Sequence, residues 1–298
     1  MFVKAIEKVS NFTRPIHSIL RNYGSTEIEP ACSTLMVIND EGYAITCKHV
    51  IEGLIAPGNS INENYNHFKD ELNALTSKVN IRESRQILEK KYGYSTKTPV
   101  TVQLKNLFVD VVDEFTEIRW LNHPIYDLSL IKFEGFNEIL CSDYPVFAKN
   151  SENIKSGMSL CRLGYPYPEF SNYQYDESTD DIVWLNNGGE YSPRFPIDGI
   201  VTRLVTDNNT LCGIELSTPG LKGQSGGPLF DVNGIIYGMQ SETVTLPLGF
   251  DQINREIIVN GKKKKVNDYS FIHLGRCVHI DIIKDFLNSN NVKYKVEP

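Results

Sequence analysis

The sequence lacks the surplus of basic residues that nucleic-acid-binding proteins usually have. Its 37 acidic residues outnumber its 30 lysines and arginines, which gives a formal net charge of -7 at pH 7. Phosphate binding depends on clustered cations, so we expect no nucleic-acid partner. The one basic run, Lys262 to Lys265, follows Asn260-Gly261 and is predicted to lie at a solvated hairpin tip rather than in a binding patch.

Long apolar runs and paired cysteines are also missing. No stretch approaches the ~20 apolar residues of a membrane-spanning helix, so we expect no membrane association. The N-terminal stretch MFVKAIEKVSNF contains Glu7 and no small-residue cleavage site, so it does not resemble a secretory signal. The six cysteines are widely spread without a Cys-x-x-Cys pair. We therefore expect reduced thiols, no metal and a cytoplasmic location.

The apolar residues that are present occur mainly in short runs rich in Val, Ile, Leu, Phe and Tyr. Gly, Asn, Asp and Pro separate these runs, which is typical of an antiparallel sandwich or barrel. Asn39 to Gly42 and Asp231 to Gly234 each lie between two runs and predict one hairpin in each half of the chain. The sequence therefore favours two β-barrels. The predicted strands are Thr34 to Ile38, Tyr43 to Thr46, Leu107 to Val112, Leu128 to Phe133, Ser159 to Leu163, Ile200 to Val205, Leu211 to Leu216 and Ile235 to Met239.

Two neighbouring segments have helical spacing instead. The first begins near Ile61, and the second is predicted from about Glu83 to Tyr92. We interpret residues 60–95 as a helical insertion that packs onto a barrel, and leave open that its narrow apolar face binds a regulatory protein partner. A third helix is predicted from Asp281 to Leu287. The apolar face of the first helix consists of Tyr65, Phe68, Leu72, Leu75 and Val79.

The strongest chemical signal is a serine flanked by glycines, in the run GQSGGPLF that begins at Gly223. A tight turn of this composition exposes the Ser225 hydroxyl while backbone N–H groups converge nearby. Acyl transfer needs such donors for the oxyanion of its tetrahedral intermediate, and we assign this role to the N–H groups of Gly223 and Ser225. Taken alone, the same run also fits an ordinary glycine turn between two strands.

A serine nucleophile needs a base, and two further elements supply a candidate pair. His49 follows a predicted strand, and Asp127 begins an apolar run, where an unpaired carboxylate would be costly to bury. A lone histidine is more often structural, and the aspartate also fits a turn cap after Pro124. Three elements in the order His, Asp, Ser together predict a catalytic triad, with His49 as general base, Asp127 as its orienting group and Ser225 as nucleophile.

The runs TCKHVI, YDLSLIKF and GQSGGPLF resemble the three signatures of trypsin-like serine peptidases, most similarly the bacterial type related to the HtrA group. The resemblance implies an all-β fold of two six-stranded antiparallel β-barrels, residues 1–148 and 149–298, that together form one peptidase unit. The helical insertion would belong to the first barrel, and a C-terminal helix would close the chain. The resemblance also implies the same roles for His49, Asp127, Ser225 and Gly223.

The resemblance further suggests where a substrate binds. Pro219, six residues before Ser225, would form the floor of the S1 pocket, which holds the P1 side chain on the N-terminal side of the cleaved bond. Thr243 would line its wall, and Ser241 would contact the substrate backbone and also hydrogen-bond Asp127. Neither Pro219 nor Thr243 is charged, and no histidine or arginine occupies the positions expected to line the pocket. We therefore expect a small or medium apolar P1 residue rather than a basic residue or glutamate.

Three departures from the trypsin pattern affect these expectations. Gln224 stands where secreted trypsins have an aspartate that binds a newly cut N-terminus, so we do not expect activation through that salt bridge. Val50 follows His49, so the disulfide beside this histidine is absent. Only 11 residues follow Leu287, so we expect none of the peptide-binding domains that HtrA proteins usually carry.

Two other classes of function compete with a peptidase. A pseudoprotease would keep the fold as a peptide-binding or scaffolding module with weak or absent chemistry, although the complete set of His, Asp, Ser and glycines argues against it. A zinc-dependent hydrolase is disfavoured because the six histidines lack metal-ligand spacing beside carboxylates. The sequence predicts a serine endopeptidase that acts on proteins or peptides without a cofactor or metal.

Overall fold

The computed structural model describes residues 2–75 and 81–298, and most of its regular structure is strand. Val79, which was predicted as part of a helical stripe, lies outside the described residues. The helices are α1 Val3–Ser10, α2 Lys48–Val50 with a following π-helical turn Ile51–Ile55, α3 Gly58–Leu75, α4 Ile81–Tyr92 and α5 Ile280–Ser289, with a 3-10 turn at Ser151–Asn153. The strands are β1 Thr13–Asn22, β2 Ile28–Val37, β3 Tyr43–Thr46, β4 Thr101–Phe108, β5 Glu117–Asn122, β6 Ser129–Glu134, β7 Val146–Phe147, β8 Ser159–Arg162, β9 Tyr173–Asp176, β10 Asp181–Trp184, β11 Ile197–Asp207, β12 Thr210–Leu216, β13 Pro228–Phe230, β14 Ile235–Pro247, β15 Gln252–Val259, β16 Lys262–Asp268, β17 Phe271–His279 and β18 Lys295–Val296.

Six strands form the first sheet, in the spatial order β4-β1-β2-β3-β6-β5. The predicted hairpin at Asn39 to Gly42 joins β2 to β3, and Gly42 adopts a φ of 84°. Strand β1 is buried on both faces, since Ile16 lies in the main core and Ile19 packs against Phe170 under the β9–β10 hairpin. Among the described residues no pairing joins β4 to β5, so this sheet curls without closing.

The second sheet contains a closed ring of six antiparallel strands. Its order is β13-β8-β11-β12-β17-β14, and β14 pairs back onto β13 through the predicted hairpin at Asp231 to Gly234. The short strands β7 and β18 extend the sheet beyond β14. Closure removes the unpaired edges that an open sheet would leave. The ring therefore provides a rigid support for the loops that leave its strands.

The largest apolar core contains residues from both predicted halves. Leu35 and Ile131 of the first sheet belong to the same buried cluster as Phe230 and Ile283 of the second half. Helix α5 has its buried face in this cluster, which explains the apolar spacing of that helix. The exact division into residues 1–148 and 149–298 stays a prediction.

The predicted helical insertion is present as α3 and α4. Asn62 in α3 makes two hydrogen bonds with the Leu104 backbone of β4, to its carbonyl oxygen at 2.8 Å and from its N–H at 2.9 Å. The rings of Tyr65 and Phe68 are buried against Tyr23 of the loop after β1. Tyr65 and Phe68 of the predicted apolar face are thus packed within the protein, and a regulatory partner at the insertion stays a prediction. The all-β class with a helical insertion and a C-terminal helix is confirmed.

Phe68→Ala should destabilise the packing of the insertion without altering the site. The Phe68 side chain is 2% exposed and lies among four tyrosine rings, so its truncation should cost about 3 kcal/mol or more. Thermal unfolding measures this cost. The matched control is Ile87→Ala on α4, where a side chain that is 68% exposed should change stability by less than about 0.5 kcal/mol. Equal unfolding temperatures for the two variants would show that the insertion does not pack as described.

Two sequence predictions about elements need correction. The strand predicted at Leu107 to Val112 is instead β4, which ends at Phe108, because Asp110 turns the chain with a φ of 54°. The lysines from Lys262 onward form the exposed strand β16, and only Asn260-Gly261, both at positive φ, make the hairpin tip. Within the described residues, none of the helices combines the length and the apolar character that a membrane crossing requires.

Candidate active site

Strand pairing brings His49 and Asp127 together. His49 lies in α2, just after β3, and Asp127 lies two residues before β6. Thr46 at the end of β3 pairs with Ser129 at the start of β6, so the residues that follow one strand and precede the other are neighbours. A contact between positions 78 residues apart therefore follows from the register of two adjacent strands.

Three hydrogen bonds fix the Asp127 carboxylate. Oδ2 lies 2.8 Å from His49 Nδ1 and accepts the Ser241 hydroxyl at 2.6 Å. Oδ1 accepts the backbone N–H of His49 at 3.0 Å. The carboxylate thus holds both the ring and the backbone of the histidine. With Nδ1–H donating to Asp127, the Nε2 atom of His49 remains an acceptor.

The pair shifts the proton affinity of both groups. Burial acts to raise the pKa of Asp127, but hydrogen bonds from the His49 ring, Ser241 and the His49 backbone outweigh it and lower the pKa to about 2. The hydrogen bond to Asp127 raises the pKa of His49 above its ordinary value, despite partial burial. The imidazole therefore holds a proton more tightly than a free histidine does, which makes it a stronger base.

On acidification, His49 should be protonated at a higher pH than a free histidine. Its pKa is raised above 6.5, whereas burial lowers the pKa of His17 to about 4, so the two rings should titrate well apart. Ring resonances followed by NMR across the pH range measure both values in one sample. Asp127→Asn should move the His49 titration to lower pH and leave that of His17 in place. A wild-type His49 pKa below 6.5 would contradict the hydrogen-bonded pair.

Ser225 lies on a turn that packs directly against the first sheet. Gly226 has a φ of 90°, and a Cβ atom there would come within 1.9 Å of the Thr34 carbonyl oxygen of β2, so only glycine allows this approach. The Thr34 N–H donates to Ser225 O at 3.0 Å, and the Thr34 hydroxyl donates to Gly223 O at 2.6 Å. Strand β2 therefore fixes the position of the serine turn. No pattern in the residues around Thr34 indicated this role.

The predicted oxyanion donors are not used elsewhere. Among the described residues, the backbone N–H groups of Gly223 and Ser225 have no hydrogen-bond partner. Gly223 has a φ of 91°, a conformation that glycine adopts readily. Buried Gln224 braces the turn, because its side chain accepts from the Leu221 N–H at 3.1 Å and donates to Phe195 O at 3.0 Å. The turn is thus braced by one of its own side chains.

Two cavities meet at His49. One, of about 580 Å³, is lined also by Asp127 and Ser241, and the other, of about 470 Å³, is lined also by Gly223 and Ser225. The Ser225 hydroxyl contacts Ser241 O at 3.4 Å, and no hydrogen bond joins it to His49 in the described structure. Catalytic hydrogen bonds are often long or misaligned before substrate binds.

The three predicted substrate-binding residues lie on two facing segments. The Thr243 hydroxyl donates to Gly220 O at 2.8 Å, which links the segment after Pro219 to the segment after Ser241. The Pro219 carbonyl accepts a hydrogen bond from Arg162 at 3.0 Å. Arg162 was missed by the sequence analysis, although an arginine inside the apolar run Ser159 to Leu163 was a visible signal.

Cys47, His49 and Asp127 place one possible ligand atom each within 4.8 Å of one another. Metal binding by a cysteine needs a thiolate. Burial raises the pKa of Cys47 well above its ordinary value, and its Sγ donates to Gln240 O at 3.1 Å. The protonated thiol is therefore a structural hydrogen-bond donor, and the arrangement does not favour a metal.

Comparison with known proteins identifies the class. A sequence model of the trypsin-like peptidase domain matches residues 33–239, which is more than half of the 298-residue chain. The chain belongs to this family, and its fold is trypsin-like. No curated protein sequence matches the chain.

Solved structures with the same fold include HtrA-type proteases. The HtrA-type protease AlgW with a tripeptide has a TM-score of 0.50 at 12% identity, over 97% of this chain. A variant of that protease with a decapeptide has a TM-score of 0.49 at 11% identity, over 98% of this chain and 68% of its own. The present chain spans 63% of the length of the tripeptide-bound protein. At this identity the likeness concerns the fold alone.

Proposed function

We propose that this protein is a serine endopeptidase that forms an acyl-enzyme on Ser225. The supporting observation is the Asp127–His49 pair, joined at 2.8 Å, whose imidazole borders the same cavity as Ser225. Ser225 is accessible there, and the turn that holds it has two unused backbone N–H donors. This combination provides a base, a nucleophile and an oxyanion site in one cleft.

In the proposed reaction, Ser225 Oγ attacks the carbonyl carbon of the scissile bond while His49 Nε2 accepts the hydroxyl proton. The oxyanion of the tetrahedral intermediate is stabilised by the N–H groups of Gly223 and Ser225. Collapse of the intermediate breaks the C–N bond, and His49 donates its proton to the leaving amine. Water, deprotonated by His49, then hydrolyses the ester and restores Ser225. Asp127 stabilises the imidazolium in both halves of the reaction.

An internal cleavage position fits the cleft better than removal of terminal residues. Two open cavities, of about 580 and 470 Å³, meet at His49, so a polypeptide has room on both sides of the reacting bond. The space on both sides of the reacting bond is the reason for proposing an endopeptidase rather than an exopeptidase.

A peptide-binding pseudoprotease is the second candidate, and one observation favours it. The Ser225 hydroxyl contacts Ser241 O rather than His49. In addition, the hydrogen bond from the Thr243 hydroxyl to Gly220 O crosses the predicted S1 pocket. In the proposed enzyme, both contacts belong to the substrate-free state. Substrate binding would break the hydrogen bond between Thr243 and Gly220 and turn the Ser225 hydroxyl toward His49.

Cleavage of an unfolded protein such as reduced casein separates the two candidates. The wild-type protein should produce internal fragments, a fluorophosphonate should stop the cleavage, and a chelator should have no effect. Binding of casein without fragments, under conditions where trypsin cleaves it completely, would support the pseudoprotease.

A further inference from the structure

Arg162 is a fully buried cation next to the predicted S1 pocket. Its side chain extends from the end of β8 and has no exposed surface. One terminal nitrogen, Nη1, donates to the Gln240 side-chain oxygen at 2.7 Å. The other, Nη2, donates to the Thr218 hydroxyl at 2.6 Å and to the carbonyl oxygens of Thr218 and Pro219, each at 3.0 Å. All these acceptors are neutral.

The charge of Arg162 is not balanced by a carboxylate. Within the described residues the guanidinium forms no ion pair, and its Nε atom is buried without a partner. Burial lowers the pKa of Arg162, in keeping with a site that disfavours the charge. A buried, unpaired cation is costly, whereas arginines in protein interiors normally pair with an anion. The guanidinium also needs a glycine at position 275, because a Cβ atom there would lie 1.9 Å from Nη1.

The guanidinium is connected to the catalytic turn. Gln240 directly precedes Ser241, and its backbone exchanges hydrogen bonds with the nucleophile turn, from the Gly226 N–H at 2.9 Å and to Gly227 O at 2.8 Å. Pro219 lies on the opposite segment, which leads to Ser225. Arg162 therefore lies where the two segments that would form the walls of the S1 pocket come together.

The two segments that would form these walls contact each other in this conformation. The Thr243 hydroxyl bonds to Gly220 O at 2.8 Å, and a Cβ at Gly220 would lie 2.3 Å from the Gln240 side-chain nitrogen. Thr243 and Gln240 are thus the groups that an entering side chain must displace. The side-chain oxygen of Gln240 accepts from Arg162 Nη1 at 2.7 Å and from the Cys277 thiol at 3.6 Å, and its nitrogen donates to Glu242 O at 2.9 Å. A carboxylate is a stronger acceptor than this neutral amide, so it can take over the hydrogen bond from Arg162.

We propose that Arg162 makes the S1 pocket selective for an acidic side chain of glutamate length, so that the protein cleaves after glutamate. This inference rests on the proposed peptidase function and replaces the apolar preference expected from Pro219 and Thr243. A P1 carboxylate supplies the missing countercharge and two strong acceptors. An apolar P1 side chain leaves Arg162 unpaired, and a P1 lysine places two cations together.

A set of fluorogenic peptides that differ only at P1, with Glu, Gln, Leu or Lys, tests the proposal on the wild-type protein. The value of kcat/KM for Glu should exceed that for its neutral isostere Gln by about 10- to 100-fold, the usual effect of one hydrogen-bonded charge. Fastest cleavage after Leu, Lys or Gln would overturn the proposal while leaving the peptidase function intact.

Arg162→Met assigns the preference to this residue. In this variant the ratio of kcat/KM for the Glu peptide to that for the Gln peptide should fall to about one, and cleavage after Leu should be retained or improved. Labelling of Ser225 by a fluorophosphonate shows whether the catalytic site of the variant is assembled. The matched control is Arg119→Met, whose exposed side chain pairs with Glu117 and Glu134 far along the first sheet and should leave the ratio unchanged. An unchanged ratio in a folded Arg162→Met variant would overturn the proposal.

Peptide binding to Ser225→Ala tests the pocket independently of catalysis and of the folding of Arg162→Met. Fluorescence anisotropy gives the Kd values of two labelled peptides that end in Glu or Gln at P1. Tighter binding of the Glu side chain supports the pocket even if the wild-type protein cleaves nothing, in which case only the peptidase function fails. To separate the P1 side chain from its terminal carboxylate, both peptides carry a C-terminal amide. Equal Kd values would overturn the acidic pocket whether or not the protein is a peptidase.

Discussion

Ser225→Ala should lower kcat/KM for peptide hydrolysis by about 10⁴ to 10⁶. The Ser225 hydroxyl lies on the turn whose Gly223 and Ser225 N–H groups have no partner among the described residues, whereas the neighbouring Cys47 thiol is buried and directed to Gln240 O. The fold should survive, because the Ser225 hydroxyl makes a single weak contact, at 3.4 Å to Ser241 O. Initial rates with one peptide, together with thermal unfolding, measure both effects.

Ser156→Ala is a suitable control for the serine substitution. Ser156 is exposed, and its hydroxyl makes one hydrogen bond, to Thr202 O at 3.2 Å. It should keep wild-type activity. If Ser225→Ala retained wild-type cleavage of the same peptide, the assignment of the nucleophile would be wrong.

Asp127→Asn should lower kcat/KM by about 10⁴ with little change in structure. The two oxygens of Asp127 accept three hydrogen bonds, and an amide group replaces one acceptor by a donor. If the amide nitrogen faces the ring, His49 Nδ1 must become the acceptor and Nε2 carries the proton, which leaves no base for Ser225. Steady-state kinetics with the same peptide measures the loss.

Ser241→Ala removes only one of the three hydrogen bonds of Asp127 and leaves the carboxylate in contact with His49. Its effect on kcat/KM should therefore be no more than about 100-fold, the range for one hydrogen bond to a charged group. The informative result is which of the two variants, Ser241→Ala or Asp127→Asn, loses more kcat/KM. A larger loss for Ser241→Ala than for Asp127→Asn would show that the carboxylate does not act by orienting the histidine.

The features that the sequence revealed are local ones. The turn at Asn39 to Gly42 needs positive φ at its glycine, and Ser225 lies in a run of glycines with tight backbone contacts, so both left a pattern in neighbouring residues. His49 and Asp127 could be predicted for the same reason, because His49 follows an apolar strand and Asp127 precedes one. The buried face of α3 was visible as apolar residues at helical intervals.

The features that sequence reasoning missed depend on contacts between distant segments. The acceptors of Arg162 lie 56 to 78 residues farther along the chain, so nothing near it shows that its guanidinium lies beside Pro219. Strand β1 was missed because Arg14 and Arg21 interrupt its apolar residues, yet Arg21 is buried through an ion pair with Asp180 at 2.8 Å. A tertiary partner makes a charged residue acceptable in a buried strand, and the sequence does not identify that partner.

Intact-protein mass spectrometry after treatment with a fluorophosphonate tests the central claim most directly. This reagent reacts rapidly with a serine that its own site activates and far more slowly with an ordinary hydroxyl. We expect one adduct per wild-type chain, mapped to Ser225 by peptide sequencing, and slow or absent labelling of His49→Ala. A protein that is folded but takes up no adduct, or whose adduct maps to another residue, would contradict the proposal that Asp127, His49 and Ser225 form a working catalytic site.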